Sequence, residues 1–260
     1  MSWALLFLLG IAAPAYGGEK LTIAAASDLQ FVLREVADRF EKSEGTKVSL
    51  VLGSSGNFFS QIQNGAPFDL FFSADVDYPR RLEAGGLAEP GSVYYYGRGR
   101  IVLWARRDSG VDVRRGLAVL LDPAVRKIAI ANPAHAPYGR AAATALRREG
   151  LWDRVAGRIV LGENISQAFQ FAETGNADAG IIALSLALAP PARQQGNYFL
   201  IAQSSYEPIE QAAMVLKASP HKAEGLRFMQ FIKRPEIAGL LKQYGFGPPA
   251  GDARLPGGKP

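Results

Sequence analysis

Apolar runs that end in a small polar residue and pass at once into a helical pattern recur along this chain, and they constrain its fold most. The runs are LTIAAA before Ser27, VSLVLG before Ser54 and Ser55, and RIVLGEN before Ile165 and Ser166. Strand-like runs that alternate with helical periodicity predict an α/β fold with mainly parallel strands. The first amides of a helix have no intrahelical partner and carry partial positive charge, so such helix starts favour anions.

The alternation occurs twice, which predicts two lobes rather than one. Residues 21–75 have the order βαβαβ, a further strand follows at 100–105, and the strand at 127–132 opens a second alternation. A strand at 209–217 is expected to carry the chain back to the first unit. Continuous strands without a flexible linker favour a hinge and a cleft between the lobes. The predicted bounds are 18–98 with 208–250 for lobe 1, and 99–207 for lobe 2.

The two ends of the chain read differently from the rest. Residues 3–13 are apolar and are followed by the small-x-small pattern Ala15-Tyr16-Gly17, so residues 1–17 are predicted to be a signal peptide. The segment lacks the usual Lys or Arg, which leaves an uncleaved anchor as the alternative. Residues 251–260 are rich in Gly and Pro and are predicted to be a flexible tail. We therefore expect an exported, periplasmic protein.

The composition excludes several kinds of chemistry. The chain has no cysteine, which rules out thiolate catalysis, Cys-ligated metals and disulfides. Its two histidines, His135 and His221, fall in different predicted lobes, so neither a catalytic triad nor a histidine metal site is expected, although His135 lies near the predicted site. The net charge of +5 comes from basic pairs scattered along the chain, a pattern that favours steering of small anions over nucleic-acid binding.

Each candidate site residue also has an ordinary structural interpretation. Ser27 precedes Gln30 by three residues, as in a capping box. Ser55 lies in a turn where Asn57 replaces the last glycine of a nucleophile elbow, so this turn is not that motif. The loop before Tyr138 contains two prolines and is either an ordinary turn or a stiff element that aims the Tyr138 amide at a ligand. The run at 94–96 of three tyrosines is expected to pack at a strand edge.

Taken together, these segments resemble the periplasmic molybdate-binding proteins of ABC transporters. The resemblance rests on AAASDL, GSSGNFFSQIQNGAPFDLFFSAD, IANPAHAPYGRAA, GENISQA, AGIIALS and YEPI, in this order across most of residues 20–250. It implies a two-lobed type II periplasmic binding fold. In that fold a cleft holds tetrahedral molybdate or tungstate through neutral hydrogen-bond donors.

The resemblance also implies a set of ligand residues. Ser27 and Ser55 match serines that give hydroxyl and amide donors, and Tyr138 and Ile165 match positions that donate backbone N–H groups. A tyrosine donor of several relatives corresponds to Ala183, and the residue that helps in relatives without it corresponds to Asp28. An inward carboxylate would repel a dianion, so we expect only the amide of Asp28 to face the ligand, with its carboxylate turned outward near the helix start.

The resulting hypothesis is a non-enzymatic solute-binding component of an ABC importer. Molybdenum would be held only as the oxyanion, with no direct metal ligand and no cofactor. The expected partners are the oxyanion and an inner-membrane permease, with no nucleic acid, and the protein is expected to be a monomer. Two alternatives stay open: a binding protein for another tetrahedral oxyanion such as sulfate or phosphate, and, more distantly, a secreted serine hydrolase using Ser55 or Ser27.

Overall fold

The computed structural model describes residues 20–249, so the predicted signal peptide and flexible tail lie outside the described residues. Within this described part of the chain, ten strands form two five-stranded sheets. In chain order they are β1 (Lys20–Ala26), β2 (Lys47–Gly53), β3 (Leu70–Ser73), β4 (Tyr94–Gly99), β5 (Ile101–Arg106), β6 (Ile128–Ala131), β7 (Ile159–Gly162), β8 (Ala179–Ala183), β9 (Gly196–Leu200) and β10 (Ile209–Val215).

Helices flank both sheets. They are α1 (Val32–Glu44), α2 (Ser55–Gln63), α3 (Asp77–Ala84), α4 (Pro137–Arg148), α5 (Trp152–Val155), α6 (Ile165–Glu173), α7 (Leu184–Ala187), α8 (Pro190–Gln195), α9 (Lys222–Ile232) and α10 (Pro235–Gln243). Short 3₁₀ segments add Ser27–Leu29, Val113–Leu121, Ala156–Arg158 and Gln203–Ser205. Among the described residues, no helix is long and apolar enough to cross a bilayer.

The first sheet has the strand order β2-β1-β3-β10-β4. Strand β1 pairs in parallel with β2 and β3, and β10 runs antiparallel between β3 and β4. Its central strands are buried on both faces, as the continuous apolar runs predict. On one face Phe40 of α1 packs edge-on against Phe228 and Phe231 of α9, with ring centroids 4.9 and 5.4 Å apart. The end of the chain therefore completes the core of the first lobe.

The second sheet has the order β7-β6-β8-β5-β9. Strand β6 pairs in parallel with β7 and β8, while β5 runs antiparallel to β8 and β9. Trp104 at its centre is fully buried and meets Phe169 of α6 at a centroid distance of 5.3 Å. Each sheet with its helices forms a lobe, which confirms the predicted two-lobed α/β class. Only Arg100 separates β4 of the first sheet from β5 of the second, and β10 leads back.

Two details differ from the sequence prediction. Ser27 does not cap a helix with its side chain: the N-cap of the 3₁₀ turn is Ala26, and the turn has no side-chain capping bond. The strand predicted through Asn164 ends earlier, at Gly162, because the Asn164 side chain caps α6 by accepting a hydrogen bond from the amide of Gln167 at 3.0 Å.

Candidate functional site

Ser27 follows β1 directly and lies at the carboxyl edge of the first sheet. It is 1% exposed, and its hydroxyl reaches across to the other lobe. Ser27 Oγ donates to Oδ1 of Asn164 at 3.1 Å and accepts from the amide of Ser166 at 3.2 Å. The hydroxyl, for which a capping box was the ordinary structural interpretation, thus contacts the start of α6 instead. This contact joins two of the three helix starts that the sequence singles out.

At the second helix start, the adjacent serines Ser54 and Ser55 make different contacts. Ser54 is the N-cap of α2, and its hydroxyl accepts from the amide of Asn57 at 3.4 Å. Ser55 is the first residue of the helix, is fully buried, and accepts from the amide of Ala74 through Oγ at 2.9 Å. The Ser55 hydroxyl proton is therefore free to be donated elsewhere. Capping falls to Ser54, which leaves Ser55 as the candidate binding residue.

The starts of α4 and α6 supply backbone donors from the second lobe. Pro137 is the first residue of α4 and fixes the backbone that leads into Tyr138. Ile165 is the first residue of α6. First-turn amides have no intrahelical acceptor, so those of Tyr138 and Ile165 are available as donors. The proline-stiffened loop thus has the geometry of a donor element.

These residues surround one small cavity between the lobes. The first lobe contributes Ala26, Ser27, Asp28, Gly53, Ser54, Ser55 and Ala74, and the second contributes Ala136, Pro137, Tyr138 and Ile165. No Lys, Arg or His lines it, and the lining residues with polar side chains are Ser27, Ser54, Ser55, Tyr138 and the acidic Asp28. Such a cavity suits a small anion held by neutral donors.

Asp28 lines the same cavity but does not behave as predicted. Its carboxylate is not turned outward: the residue is 1% exposed, and Oδ2 accepts from Tyr138 Oη and from Gln211 Nε2, both at 2.8 Å. Burial raises the pKa of Asp28 to about 6, although the hydrogen bonds from Gln211 and Tyr138 oppose the rise. The expectation of an outward carboxylate was wrong because two buried partners from distant parts of the chain hold it inside.

The polar network around Asp28 includes residues that the sequence analysis did not select. Gln211 on β10 is fully buried and accepts from the hydroxyl of Tyr96 at 2.6 Å through Oε1. Ser185 donates to the carbonyl oxygen of Asp28 at 2.7 Å. Gln211 could have been found from its position as a polar residue inside the apolar strand IEQAAMV. Tyr96 belongs to the tyrosine run on edge strand β4, where the predicted packing occurs.

Ala183, which corresponds to the tyrosine donor of several relatives, ends β8 and is fully buried. It does not line the cavity, and its methyl side chain has no hydrogen-bond donor. The nearest polar side chain along the chain is Ser185, which is engaged with Asp28.

Further contacts join the lobes beside the cavity. His135 Nδ1 lies 2.8 Å from Ser54 Oγ, its Nε2 lies 3.5 Å from Glu163 Oε1, and its carbonyl accepts from the amide of Gly56 at 3.0 Å. Glu163 also accepts from Asn57 Nδ2 at 2.7 Å. The second histidine, His221, lies away from this region and contacts Asp69. Within residues 20–249, no group of three or more His, Cys, Asp or Glu could hold a metal ion.

Two α/β lobes with a donor-lined cavity between them define a two-lobed solute-binding protein of the type II periplasmic binding fold. The family described as bacterial extracellular solute-binding protein matches residues 21–247, and the chain belongs to this family.

Relatives and solved structures agree with this assignment. The molybdate-binding protein ModA of Rhodobacter capsulatus is 35% identical over 94% of this chain and 94% of its own length. That of Azotobacter vinelandii is 36% identical over 92% of this chain and 94% of its own length. A solved periplasmic molybdate-binding protein of Azotobacter vinelandii superposes with a TM-score of 0.82 at 36% identity, covering 88% of this chain and 99% of that one.

Proposed function

We propose that this protein captures molybdate or tungstate in the periplasm and delivers it to an inner-membrane ABC permease. The observation that carries the proposal is the small cavity between the lobes, lined by Ser27, Ser55, Tyr138 and Ile165. The relatives named molybdate-binding proteins match along nearly the whole chain, which supports the same ligand here.

Binding would replace the hydration of the anion by donors from both lobes. The first lobe would offer the amides of Ser27, Ser55 and Asp28, the hydroxyl of Ser55, and the hydroxyl of Ser27 once its proton turns from Asn164 Oδ1 to the anion. The second lobe would offer the amides of Tyr138 and Ile165. Hydrogen bonds to a charged partner contribute about 1.5–3 kcal/mol each. Because the donors come from two lobes, the anion would hold the lobes together, and release would require them to separate. The lobes would correspond to 18–98 with 208–250 and to 99–207.

The remaining expectations belong to the same proposal. The protein would act as a monomer without a cofactor, would bind no nucleic acid, and would catalyse no reaction. The signal peptide at 1–17 would direct its export. Molybdenum would be present only within its oxyanion, as the cavity offers hydroxyl and amide donors rather than metal ligands.

Competition calorimetry tests the ligand assignment. We expect heat from sodium molybdate and sodium tungstate, and no displacement of either by equimolar sulfate or phosphate. Clear binding of sulfate or phosphate without binding of molybdate would instead support the alternative of another tetrahedral oxyanion.

One contact in the structure bears on the alternative of a serine hydrolase. Ser54, rather than Ser55 or Ser27, contacts a histidine. Ser54 is 4% exposed and its hydroxyl caps α2, which leaves little room for a substrate carbonyl. Ester turnover that is abolished by Ser54→Ala would support the hydrolase, and we expect no turnover.

A further inference from the structure

Asp28 has a buried carboxyl group with one satisfied and one unsatisfied oxygen. Oδ2 accepts two hydrogen bonds, from Tyr138 and Gln211. Oδ1 is buried and has no hydrogen-bond partner among the described residues. The amides of Asp28 and Leu29 lie close enough to favour the charged form, but neither makes a hydrogen bond of ordinary geometry with Oδ1. A buried carboxylate oxygen without a donor is costly, whereas a protonated one is not.

The groups that face Asp28 supply no positive charge. From α4 and β4 come the phenols of Tyr138 and Tyr96, and burial, followed by the nearby Asp28 charge, raises the pKa of each well above its usual value. From β10 comes the neutral amide of Gln211, and from α7 the hydroxyl of Ser185. The carboxyl group is therefore held by neutral donors alone.

Two charged groups on the surrounding helices are engaged elsewhere. Arg140 of α4 pairs with Asp75, and Glu35 of α1 pairs with Arg39. Helix α6 carries Glu173 at its far end, and α7 has no titratable side chain. The nearest imidazole, that of His135, contacts Ser54 instead of Asp28. Nothing described around Asp28 therefore offsets a second negative charge in the cavity that it lines.

We propose that oxyanion binding at this cavity is coupled to the uptake of one proton by the Asp28 carboxyl group. The inference rests on the proposed function, because an anion in the cavity is the charge that drives it. The proton comes from solvent and adds to Oδ1, since Oδ2 already accepts from Tyr138 and Gln211. Asp28 then becomes a neutral hydrogen-bonding residue, and no carboxylate opposes the anion. Like charge close to a carboxyl group favours its protonated form, which gives the direction of the coupling.

Calorimetry with sodium molybdate in buffers of different ionisation enthalpy, such as Hepes and Tris at one pH, counts the protons exchanged. For the wild-type protein at about pH 8 we expect an uptake of about one proton per anion, and an affinity that falls about tenfold per pH unit between about pH 7 and 9. Asp28→Asn keeps the shape of the side chain without its charge. This variant is expected to take up no proton and to bind molybdate about tenfold to a hundredfold more tightly than wild type at about pH 8.

Two control variants separate Asp28 from its neighbours. Asp75→Asn makes the same chemical change at the first-lobe edge of the cleft, and His135→Gln removes the nearest imidazole. Both are expected to keep the wild-type proton count, whatever their affinity. Loss of the uptake in His135→Gln, or its persistence in Asp28→Asn, would overturn the inference.

The wild-type result separates this inference from the proposed function. Binding of molybdate with no proton uptake would overturn the coupling and leave the proposed function standing. Absence of molybdate binding would contradict the proposed function, and the coupling would fall with it. Absence of proton uptake in the wild-type protein, or its loss in His135→Gln, overturns the inference even if Asp28→Asn does not fold.

Discussion

At the scale of single residues, the hydroxyls of Ser27 and Ser55 carry the binding hypothesis most directly. We expect Ser27→Ala and Ser55→Ala each to weaken molybdate binding by about 1–3 kcal/mol, because an anion oxygen in the cavity loses its donor. Titration calorimetry measures the change. Ser60→Ala, an exposed position on the same helix as Ser55, is the matched control and should bind as wild type does. Unchanged affinity in both cavity variants would place the site elsewhere.

The carboxyl group of Asp28 should also leave a signature in stability. Its pKa is about 6 in the folded protein, against an ordinary value of 3.8. Between these values the folded state binds more protons than the unfolded state, so the free energy of unfolding falls as pH rises, by roughly 3 kcal/mol in all. Asp28→Asn has no carboxyl group at this position, so its free energy of unfolding should not show this fall with pH. Urea unfolding of both proteins from about pH 4 to pH 7 measures the difference. Parallel pH profiles for the two proteins would contradict the prediction.

Sequence alone predicts a residue's position well when the position depends on neighbours along the chain, and poorly when it depends on distant partners. Ser27, Ser55, Tyr138 and Ile165 each lie where a strand leads into a helix, and local pattern marked such positions as possible donors. Their grouping into one predicted site came from the resemblance to molybdate-binding proteins. The carboxylate of Asp28 is oriented by Tyr138 and Gln211, which are 110 and 183 residues away along the chain. A rule about helix starts could not anticipate such partners.

At the scale of elements, continuous apolar runs allowed most strands to be predicted, and β9 shows where that signal fails. Residues 196–200 form an edge strand in which Tyr198 and Phe199 are exposed, and its place depends on antiparallel pairing with β5. An edge strand covered on one side has no continuous apolar run. The end of β7 was misplaced for a related reason, since the Asn164 cap that follows this strand is a side-chain effect.

Helix α2 contacts the backbone of the second lobe at Gly56, whose amide donates to the carbonyl oxygen of His135 at 3.0 Å. A Cβ at this position would lie 2.5 Å from the carbonyl oxygen of His135, a distance that backbone atoms do not tolerate. Gly56→Ala is therefore expected to push the lobes apart and to weaken molybdate binding by at least tenfold, while each lobe keeps its core.

The control for this prediction is Gly157→Ala, where an added Cβ meets no atom within 4 Å. Calorimetry gives the affinity and circular dichroism verifies the fold. Wild-type affinity in Gly56→Ala would show that the close contact between Gly56 of α2 and the backbone of His135 is not needed for binding.

At the scale of the whole molecule, the cavity draws on both lobes, and the first-lobe core cluster that contains Phe228 shares no residue with the cavity lining. Phe228 belongs to the core of the first sheet, is fully buried and packs against Phe40 and Phe72. Ser55 belongs to the cavity. Stability and ligand binding should therefore respond to different substitutions, although both residues belong to the same lobe.

Unfolding with and without molybdate separates the two effects. A ligand that binds only the folded state adds about 2.7 kcal/mol to the free energy of unfolding when its free concentration is 100 times Kd. We expect Phe228→Ala to lower the unligated stability by about 3–5 kcal/mol and to keep this increment. Ser55→Ala should shrink the increment at the same molybdate concentration, because its Kd is higher. An increment that Phe228→Ala abolishes and Ser55→Ala preserves would mean that molybdate stabilises the first-lobe core directly, rather than by joining the lobes.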